Sequence, residues 1–424
     1  MLCSVATLIH DTYLPVYLSE VLHLSNTKIG NLQAAAQFLS KASGSLSGTA
    51  ADLLTPARMV IFGTLLTTIN KPMFAASGAV YSAFGATACL YWITFGKIFD
   101  RVSKGIREAP SKALIGDLAA QSGDSPAAAF SLRQSMATFG ALFGSGAAAL
   151  AYKLSGNNYV LTFALSAVPA VFALALVSSA LGKVEGVAGK DKGKPAAAAA
   201  EASPSLLAKG KALLSAFKPA YWQALAVVAV LYFARFDASF VVLRAKTVMP
   251  RSSLPALTSV MMLTQAVLAT PAGLRAKRSV RDRNTVLVLG TLALVGANAA
   301  FALVPSVRGM LLGAALIGVH MAATHGVTIG MLSTYIPSDV IPGIGKISGT
   351  AWSFTDVLLG LVLAYSNALA GRLADVSAKR GLGNVGCFYG GAVACFLSIA
   401  VLLFFSAFGS LGRDDLVAKK PKKA

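Results

Sequence analysis

Seven charged residues follow a largely apolar run in the first half of the chain. The apolar run extends from Phe84 to Gly96, and the segment after it reads KIFDRVSKGIREAPSK. At 100° per residue the seven charges fall within an arc of about 140°, and apolar residues fill the opposite side. The spacing therefore predicts an amphipathic helix with one charged face. That face consists of Lys97, Asp100, Arg101, Lys104, Arg107, Glu108 and Lys112.

The apolar run is too short to cross a bilayer alone. Its thirteen residues rise only about 20 Å as a helix, against a hydrocarbon core of about 30 Å. We therefore expect the helix to continue with its charged face turned away from lipid, toward a water-filled cavity or paired charges. The alternative is that the charged end emerges into the cytosol and merely anchors the helix.

Spacings of four residues predict local ion pairs on this face. They are Asp100–Lys104, Lys104–Glu108 and Glu108–Lys112. Arg101 and Arg107 lack an equally good local partner. Their charge is expected to be met by an acid of another helix, Asp11 or Asp356 in the first instance, or by a bound solute.

Two further acids stand isolated in apolar runs, Asp11 and Asp237. An ionisable group inside a membrane is a functional candidate by default. For Asp237 the alternative is a local pair with Arg235 or Arg244 near a helix end. Asp11 follows His10 directly, and because adjacent helical residues point about 100° apart, the two are not a ready-made dyad.

The segment GVHMAATHGVTIG carries His320 and His325. Five residues place them about 140° apart, so one helix cannot chelate a metal with both. One of them is a candidate proton acceptor or soft-metal ligand facing a cavity. The alternative is a histidine that packs between helices. Asp356 is a possible partner.

Composition identifies the class of protein. The 424 residues are 55% hydrophobic and 13% charged, with a mean hydropathy of +0.67, and long apolar runs recur throughout. Such runs are typical of membrane helices, and about twelve can be counted. The fold class predicted is all-α, a polytopic membrane protein. No Walker loop, catalytic triad or zinc signature appears in the sequence, so neither an enzyme nor a cofactor or bound metal is expected.

The net charge of +20 is concentrated between and after the apolar runs. Seven lysines lie in Leu181–Pro219, five cations in Arg275–Arg283 and five in the C-terminal tail. The positive-inside rule places such segments in the cytoplasm. Nucleic acid would need them on one face with aromatic residues interleaved, a pattern that is absent. The first apolar run begins at Met1, which indicates that a cytosolic leader is missing.

The chain divides into two halves around a basic, low-complexity segment. We expect an N-terminal bundle at 1–181, a flexible cytosolic linker at 182–218, a C-terminal bundle at 219–410 and a basic cytosolic tail at 411–424. HDTYLPVYLSEV and FDASFVVLRAKT each carry an aspartate at their second position, followed by a glycine 37 or 36 residues later. This match favours two parallel six-helix repeats, as in transporters whose halves rock against each other.

The loop after the second span resembles that of the major facilitator superfamily. That loop reads Gly-x-x-x-Asp-Arg-x-Gly-Arg-Arg in the superfamily, and GTAADLLTPAR retains Gly48 and Asp52, with Arg58 one place late. In the second half, GLRAKRSVR keeps Gly273 and Arg278 but has lysine in place of the acid. The resemblance implies that these residues belong to gating loops.

A more specific likeness lies in the charged segment. DRVSKGIREAPSKALIGD resembles the Asp-Arg-x-Gly-Lys-Gly-Ile-Arg-x-x-Pro-Arg-Asp-Ala-Leu-Ile-Ala-Asp signature of one bacterial-type branch of the superfamily. FSLRQSMATFGALFG, with Arg133 and Gln134, resembles the fifth span of that branch. The resemblance implies two pseudo-symmetric six-helix bundles with a solute site between them near the bilayer midplane.

Together these features predict a secondary active transporter of a small solute, monomeric in the lipid bilayer, without nucleic acid. Proton coupling is expected because isolated acids and histidines occur within spans. Two alternatives stay open: a metal-cation exporter of the same fold, and a receptor or scaffold that does not transport. The receptor or scaffold stays open because both loop signatures depart from the superfamily pattern.

Overall fold

The computed structural model describes residues 1–53, 55–121, 126–188, 215, 217–336, 340–341, 345–346 and 348–412. Apart from one antiparallel hairpin of two-residue strands, the regular structure within these ranges is helical. The α-helices are α1 (Leu2–Asp11), α2 (Leu14–Glu20), α3 (Asn26–Leu53), α4 (Pro56–Ala75), α5 (Ser77–Gln121), α6 (Pro126–Leu154), α7 (Tyr159–Leu165), α8 (Ala167–Ala188), α9 (Pro219–Phe233), α10 (Ser239–Ala245), α11 (Pro255–Ala276), α12 (Val280–Leu303), α13 (Val307–Tyr335), α14 (Ser348–Lys379) and α15 (Gly386–Ala407). A 3₁₀ turn (Arg251–Ser253) precedes α11, and β1 (Val340–Ile341) and β2 (Gly345–Lys346) form the hairpin before α14.

These helices follow the twelve apolar runs when α1 with α2, α7 with α8, and α9 with α10 are each taken as one broken span. Gly85, inside α5, has a φ of 80°, a left-handed value that glycine adopts readily, and α5 is kinked at this residue. Among the described helices, six are long and apolar enough to cross a membrane, or seven if the bent pair α4–α5 counts as one span. The remaining runs fall short because breaks and polar residues interrupt them.

The first span breaks directly after Asp11, and the sequence explains the break. Pro15 stands four residues later and has no N–H to donate to the Asp11 carbonyl. The Thr12 hydroxyl donates to the Leu8 carbonyl at 2.7 Å, which also competes with the regular helix. The break therefore leaves the Asp11 side chain at a helix end in the middle of the span.

The eleventh span is the helix α14, and it is framed by a hairpin on its N-terminal side. Val340–Ile341 and Gly345–Lys346 pair as strands, so the helix begins only at Ser348. At the other end, α14 continues to Lys379. It continues because Ala370 and Ala374 are buried in the core of the second half.

The two halves interlock through their apolar cores. Val16 of α2 packs in a cluster otherwise built by second-half residues such as Phe240 and Leu254. Leu243 of α10, 1% exposed, packs in the cluster of the first half with Tyr17. The short second pieces of the broken first and seventh spans thus meet each other across the interface.

Helices α3 and α14 approach each other closely along their glycines. A Cβ on Gly30 would lie 2.5 Å from the Asn367 carbonyl oxygen, and one on Gly371 would lie 2.4 Å from that of Asn26. Small residues of this kind let membrane helices meet backbone to backbone. This contact is the main seam between the halves.

Most of the basic linker and tail expected at 182–218 and 411–424 lies outside the described residues, at 189–214, 216 and 413–424.

Candidate solute and coupling site

Asp11 is the centre of a buried ionic cluster. The Lys97 ammonium donates to its Oδ1 at 2.5 Å, and Arg101 Nη2 donates to its Oδ2 at 2.7 Å. The Asp11 side chain is 14% exposed and that of Lys97 only 2%. His10 Nε2 lies 3.3 Å from Oδ1 without hydrogen-bond geometry. The expected contact between Arg101 and Asp11 is therefore present, and Lys97 shares the same carboxylate.

Asp100 is paired with a residue that the sequence analysis did not single out. The Lys71 ammonium donates to Asp100 Oδ1 at 2.6 Å, and both side chains are buried. The predicted pair between Asp100 and Lys104 is wrong. A helical i,i+4 spacing only permits a pair, and Asp100 points to α4 instead, where Lys71 stands just before Pro72.

Lys104 and Arg107 have no hydrogen-bond or ion-pair partner among the described residues. Lys104 is exposed, whereas Arg107 is half-buried against Gly63 of α4. The predicted pair between Lys104 and Glu108 is not formed. Glu108 pairs with Lys112 at 3.2 Å, as expected from their spacing.

Asp237 occupies the break between α9 and α10. Its carboxylate accepts from the Ser239 backbone N–H at 2.9 Å, the Ser239 hydroxyl at 2.5 Å and Gln37 Nε2 at 3.3 Å. Its own N–H donates to Asn367 Oδ1. The alternative, a local pair with Arg235 or Arg244, is not formed. Arg235 stacks on Tyr232, and Arg244 donates to backbone carbonyls.

Asp356 faces the first half. The Lys41 ammonium of α3 donates to its Oδ1 at 2.8 Å, and both side chains are partly exposed. The expectation that Asp356 would meet Arg107 or a histidine is therefore wrong. The sequence analysis missed Lys41, although a lysine in the middle of a weakly charged span is a visible signal.

The two histidines have different surroundings. His320 is fully buried, and its Nδ1 lies 2.9 Å from the Gly290 carbonyl oxygen, so it packs α13 against α12. His325 is half-buried, and its Nδ1 has no partner. The charged groups that act on His325 include Arg235, Lys41 and Glu108. Of the pair, His325 is the one near the charged interface.

The halves are also tied at the end of the bundle where α2 meets α10. Asp375 of α14 accepts from the Asn26 and Thr27 backbone N–H groups at 3.0 and 2.8 Å and from Asn26 Nδ2 at 2.9 Å. It therefore caps the N-terminus of α3 from the opposite half. Glu20 accepts from Arg251 at 2.8 Å and from Tyr159.

The remaining candidates lie away from this cluster. Arg133 is half-buried in α6, and Arg58 and Arg278 are exposed at helix ends. Gly273 lies in α11, where a Cβ would meet open space. The surroundings of Gly48 and the side chains of Asp52 and Gln134 are outside the described part of the structure.

No protein-family model matches the chain, and no curated protein matches it. Solved structures do match. A D-xylose–proton symporter is 14% identical and covers 97% of this chain and 98% of its own, with a TM-score of 0.68. The nucleoside transporter NupG is 13% identical, with 96% of both chains covered and a TM-score of 0.63. A peptide transporter POT in complex with sulfate is 15% identical, covering 97% and 93%, with a TM-score of 0.67.

The chain has the major facilitator fold. The likeness extends over nearly its whole length, and it confirms the predicted class, an all-α, multi-pass integral membrane protein. In this fold two six-helix bundles face each other, so the clusters around Asp11 and Asp237 lie at corresponding breaks of the first and seventh spans.

Proposed function

We propose that the chain is a secondary active transporter that carries a small solute by alternating access, coupled to protons. The observation that supports this most directly is the distribution of bonds along α3. Gln33, Gln37 and Lys41 bond to the second half. Ser43 and Ser47, further along, bond instead to α5 of their own half. The halves are thus fastened from one end of α3 to about its middle.

The fastened end is assigned to the outer face of the membrane. The positive-inside rule places the linker at 182–218, the Arg275–Arg283 loop and the tail in the cytoplasm. Asn26 and Glu20 lie at the opposite ends of their helices. The proposed state is therefore closed outward, with the ionic cluster around Asp11 reached from the cytoplasm. Rocking of the halves would break the outer ties and open the site to the other side.

Asp237 is the acid best suited to take up the coupling proton. Asp11 is paired with two cations, and Asp356 is paired with Lys41. Asp237 accepts hydrogen bonds from uncharged donors only. The D-xylose symporter of similar fold is coupled to protons by name, which supports the same coupling here.

The two alternative functions have less support. A metal-cation exporter would need ligands, and the described residues hold no group of three or more His, Cys, Asp or Glu suited to a metal. A receptor or scaffold of this fold would have no use for the buried ionic cluster of Asp11, Lys97 and Arg101, since burying charge is costly. The likeness to one bacterial-type branch supports transport without naming a solute.

A reversible cross-link between the halves tests the proposal. The hydroxyls of Ser145 in α6 and Ser259 in α11 lie 2.7 Å apart across the interface. In a background with the four native cysteines replaced, Ser145→Cys and Ser259→Cys should form a disulfide that holds the outer end closed. Flux in proteoliposomes under a pH gradient should fall to background and return on reduction.

The matched control is a cross-link within one half. Ser155 and Thr162 have their hydroxyls 3.0 Å apart inside the first half. The double variant Ser155→Cys with Thr162→Cys should cross-link without loss of flux. Full flux through the locked interhalf variant would contradict alternating access, and flux that ignores the pH gradient would contradict proton coupling.

A further inference from the structure

The charged face of α5 carries more positive charge than its neighbours neutralise. Five of its seven residues are cations. Asp11 is already shared by Lys97 and Arg101, and Asp100 is taken by Lys71 from α4. Glu108 is paired with Lys112. The acids on and against this face are thus engaged.

Lys104 is the residue left over at the centre of this face. It lies three residues from both Arg101 and Arg107, so it is their neighbour on the helix surface. Both arginines act electrostatically on its ammonium. Arg101, Lys104 and Arg107 repel one another, and only Arg101 is paired, with Asp11. An anion placed between the three cations would be attracted to all of them and would offset their repulsion.

Two guanidinium N–H groups beside Lys104 also favour an anion at this position. Arg101 Nε and Arg107 Nη1 are buried and have no acceptor among the described residues. A buried donor without an acceptor is destabilising, so these groups favour an acceptor supplied by a bound solute. Oxyanions such as carboxylate and phosphate are the acceptors that arginine and lysine bind best.

Lys104 also faces away from lipid. Phe95, nine residues earlier, is 58% exposed and marks the lipid-facing side of α5. Nine residues correspond to a rotation of about 180°, so Lys104 stands on the opposite side of the helix. From the second half, His325, whose buried Nδ1 has no partner among the described residues, interacts electrostatically with Glu108 of this face.

We propose that the transported solute is a small anion with a carboxylate or phosphate group, held by Lys104 together with Arg101 and Arg107. The inference rests on the proposed transport function, because it names the solute of that same site. It is separable from it, since binding can be measured on the purified protein without any flux.

The test is equilibrium binding and thermal stability of the full-length protein in nanodiscs. The probes are succinate, citrate, inorganic phosphate and glucose 6-phosphate, with xylose and choline as uncharged and cationic comparisons. The anions should raise the unfolding temperature, and xylose and choline should not. Succinate alone would assign a carboxylate, and phosphate alone a phosphorylated solute.

Substitutions locate the site. Lys104 has no partner among the described residues and is exposed, so Lys104→Gln should fold normally and weaken anion binding about 10- to 100-fold. Lys104→Arg should keep most of the affinity. Lys153→Gln, which removes an exposed lysine from α6, is the matched control and should change nothing.

The outcomes separate the two claims. Unchanged anion binding by Lys104→Gln overturns the site at Lys104, and binding of xylose or choline in place of the anions overturns the anionic solute. Either result leaves the transport function intact. Anion binding that depends on Lys104 without flux under any ion gradient overturns the transport function and supports the site.

Discussion

Asp375 offers the sharpest test of the closed outer end. Its carboxylate is the only acceptor described for the Asn26 and Thr27 backbone N–H groups, and it comes from the opposite half. The substitution Asp375→Asn keeps the shape and one acceptor oxygen but removes the negative charge. Since the contact exists only while the halves are closed at this end, the substitution should favour the outward-open state.

The size of the effect follows from the hydrogen bond and the charge that the substitution removes. An N-cap side chain contributes about 0.5–2 kcal/mol, and a negative charge at a helix N-terminus adds about 0.3–1 kcal/mol. Because the asparagine retains part of the cap, and because Asp375 is partly exposed, the closed state should lose about 1–2 kcal/mol of stability. A change of that size shifts the equilibrium about 5- to 30-fold toward the open state.

Opening of the outer end can be measured at Leu243. This residue is buried at the outer seam, so Leu243→Cys should react with a membrane-impermeant maleimide only when the halves part. In cysteine-free protein the labelling rate should rise about 5- to 30-fold with Asp375→Asn. Asp282→Asn, which removes an acid from a helix N-terminus within one half, is the control. Equal labelling rates in all three proteins would refute the reasoning.

Two predictions concern the charged face and the topology. Arg107→Gln should lower flux by about tenfold or more while insertion and folding stay normal, because it removes a guanidinium charge whose Nη1 is buried. Lys112→Gln should lower flux much less, since its pair with Glu108 is solvent-exposed and contributes only about 0–1 kcal/mol. Equal, small effects on proteoliposome flux would mean that the face is only a solvated anchor. Cysteines engineered at 182–218 and 411–424 should both label from the cytosolic side, and protection of one of them would exclude a twelve-span topology.

The sequence was sufficient for the fold because apolar runs are a direct physical requirement of the bilayer. Positions of the runs follow from length and hydropathy, whereas the break of the first span was not predicted, although Pro15 explains it. The end of α14 was less predictable. Whether Asp375 continues a helix depends on Ala370 and Ala374 being buried by another helix, and a single sequence does not state that contact.

The site could be predicted only in part, for the same reason. Periodicity placed Lys97, Arg101 and Asp100 on one face, and α5 is helical throughout the charged segment. It could not assign their partners, because the i,i+4 rule considers one helix at a time. Asp100 pairs with Lys71 of α4 rather than with Lys104, and Asp356 pairs with Lys41. Both lysines are visible in the sequence as cations in the interior of long, weakly charged spans.

The two halves use equivalent aspartates in different ways. Asp11 and Asp237 both stand at the break of the first span of their half. Two cations hold Asp11, so removing its charge would leave Lys97 and Arg101 buried without a counter-ion, which is costly. Among the described residues, Asp237 accepts from neutral donors alone. A proton arriving at Asp237 would therefore raise the net positive charge of the cavity and weaken the bond from Gln37, one of the ties between the halves. Such a change would strengthen the binding of an anion at Lys104, which is the coupling that joint transport of a proton and an anion requires.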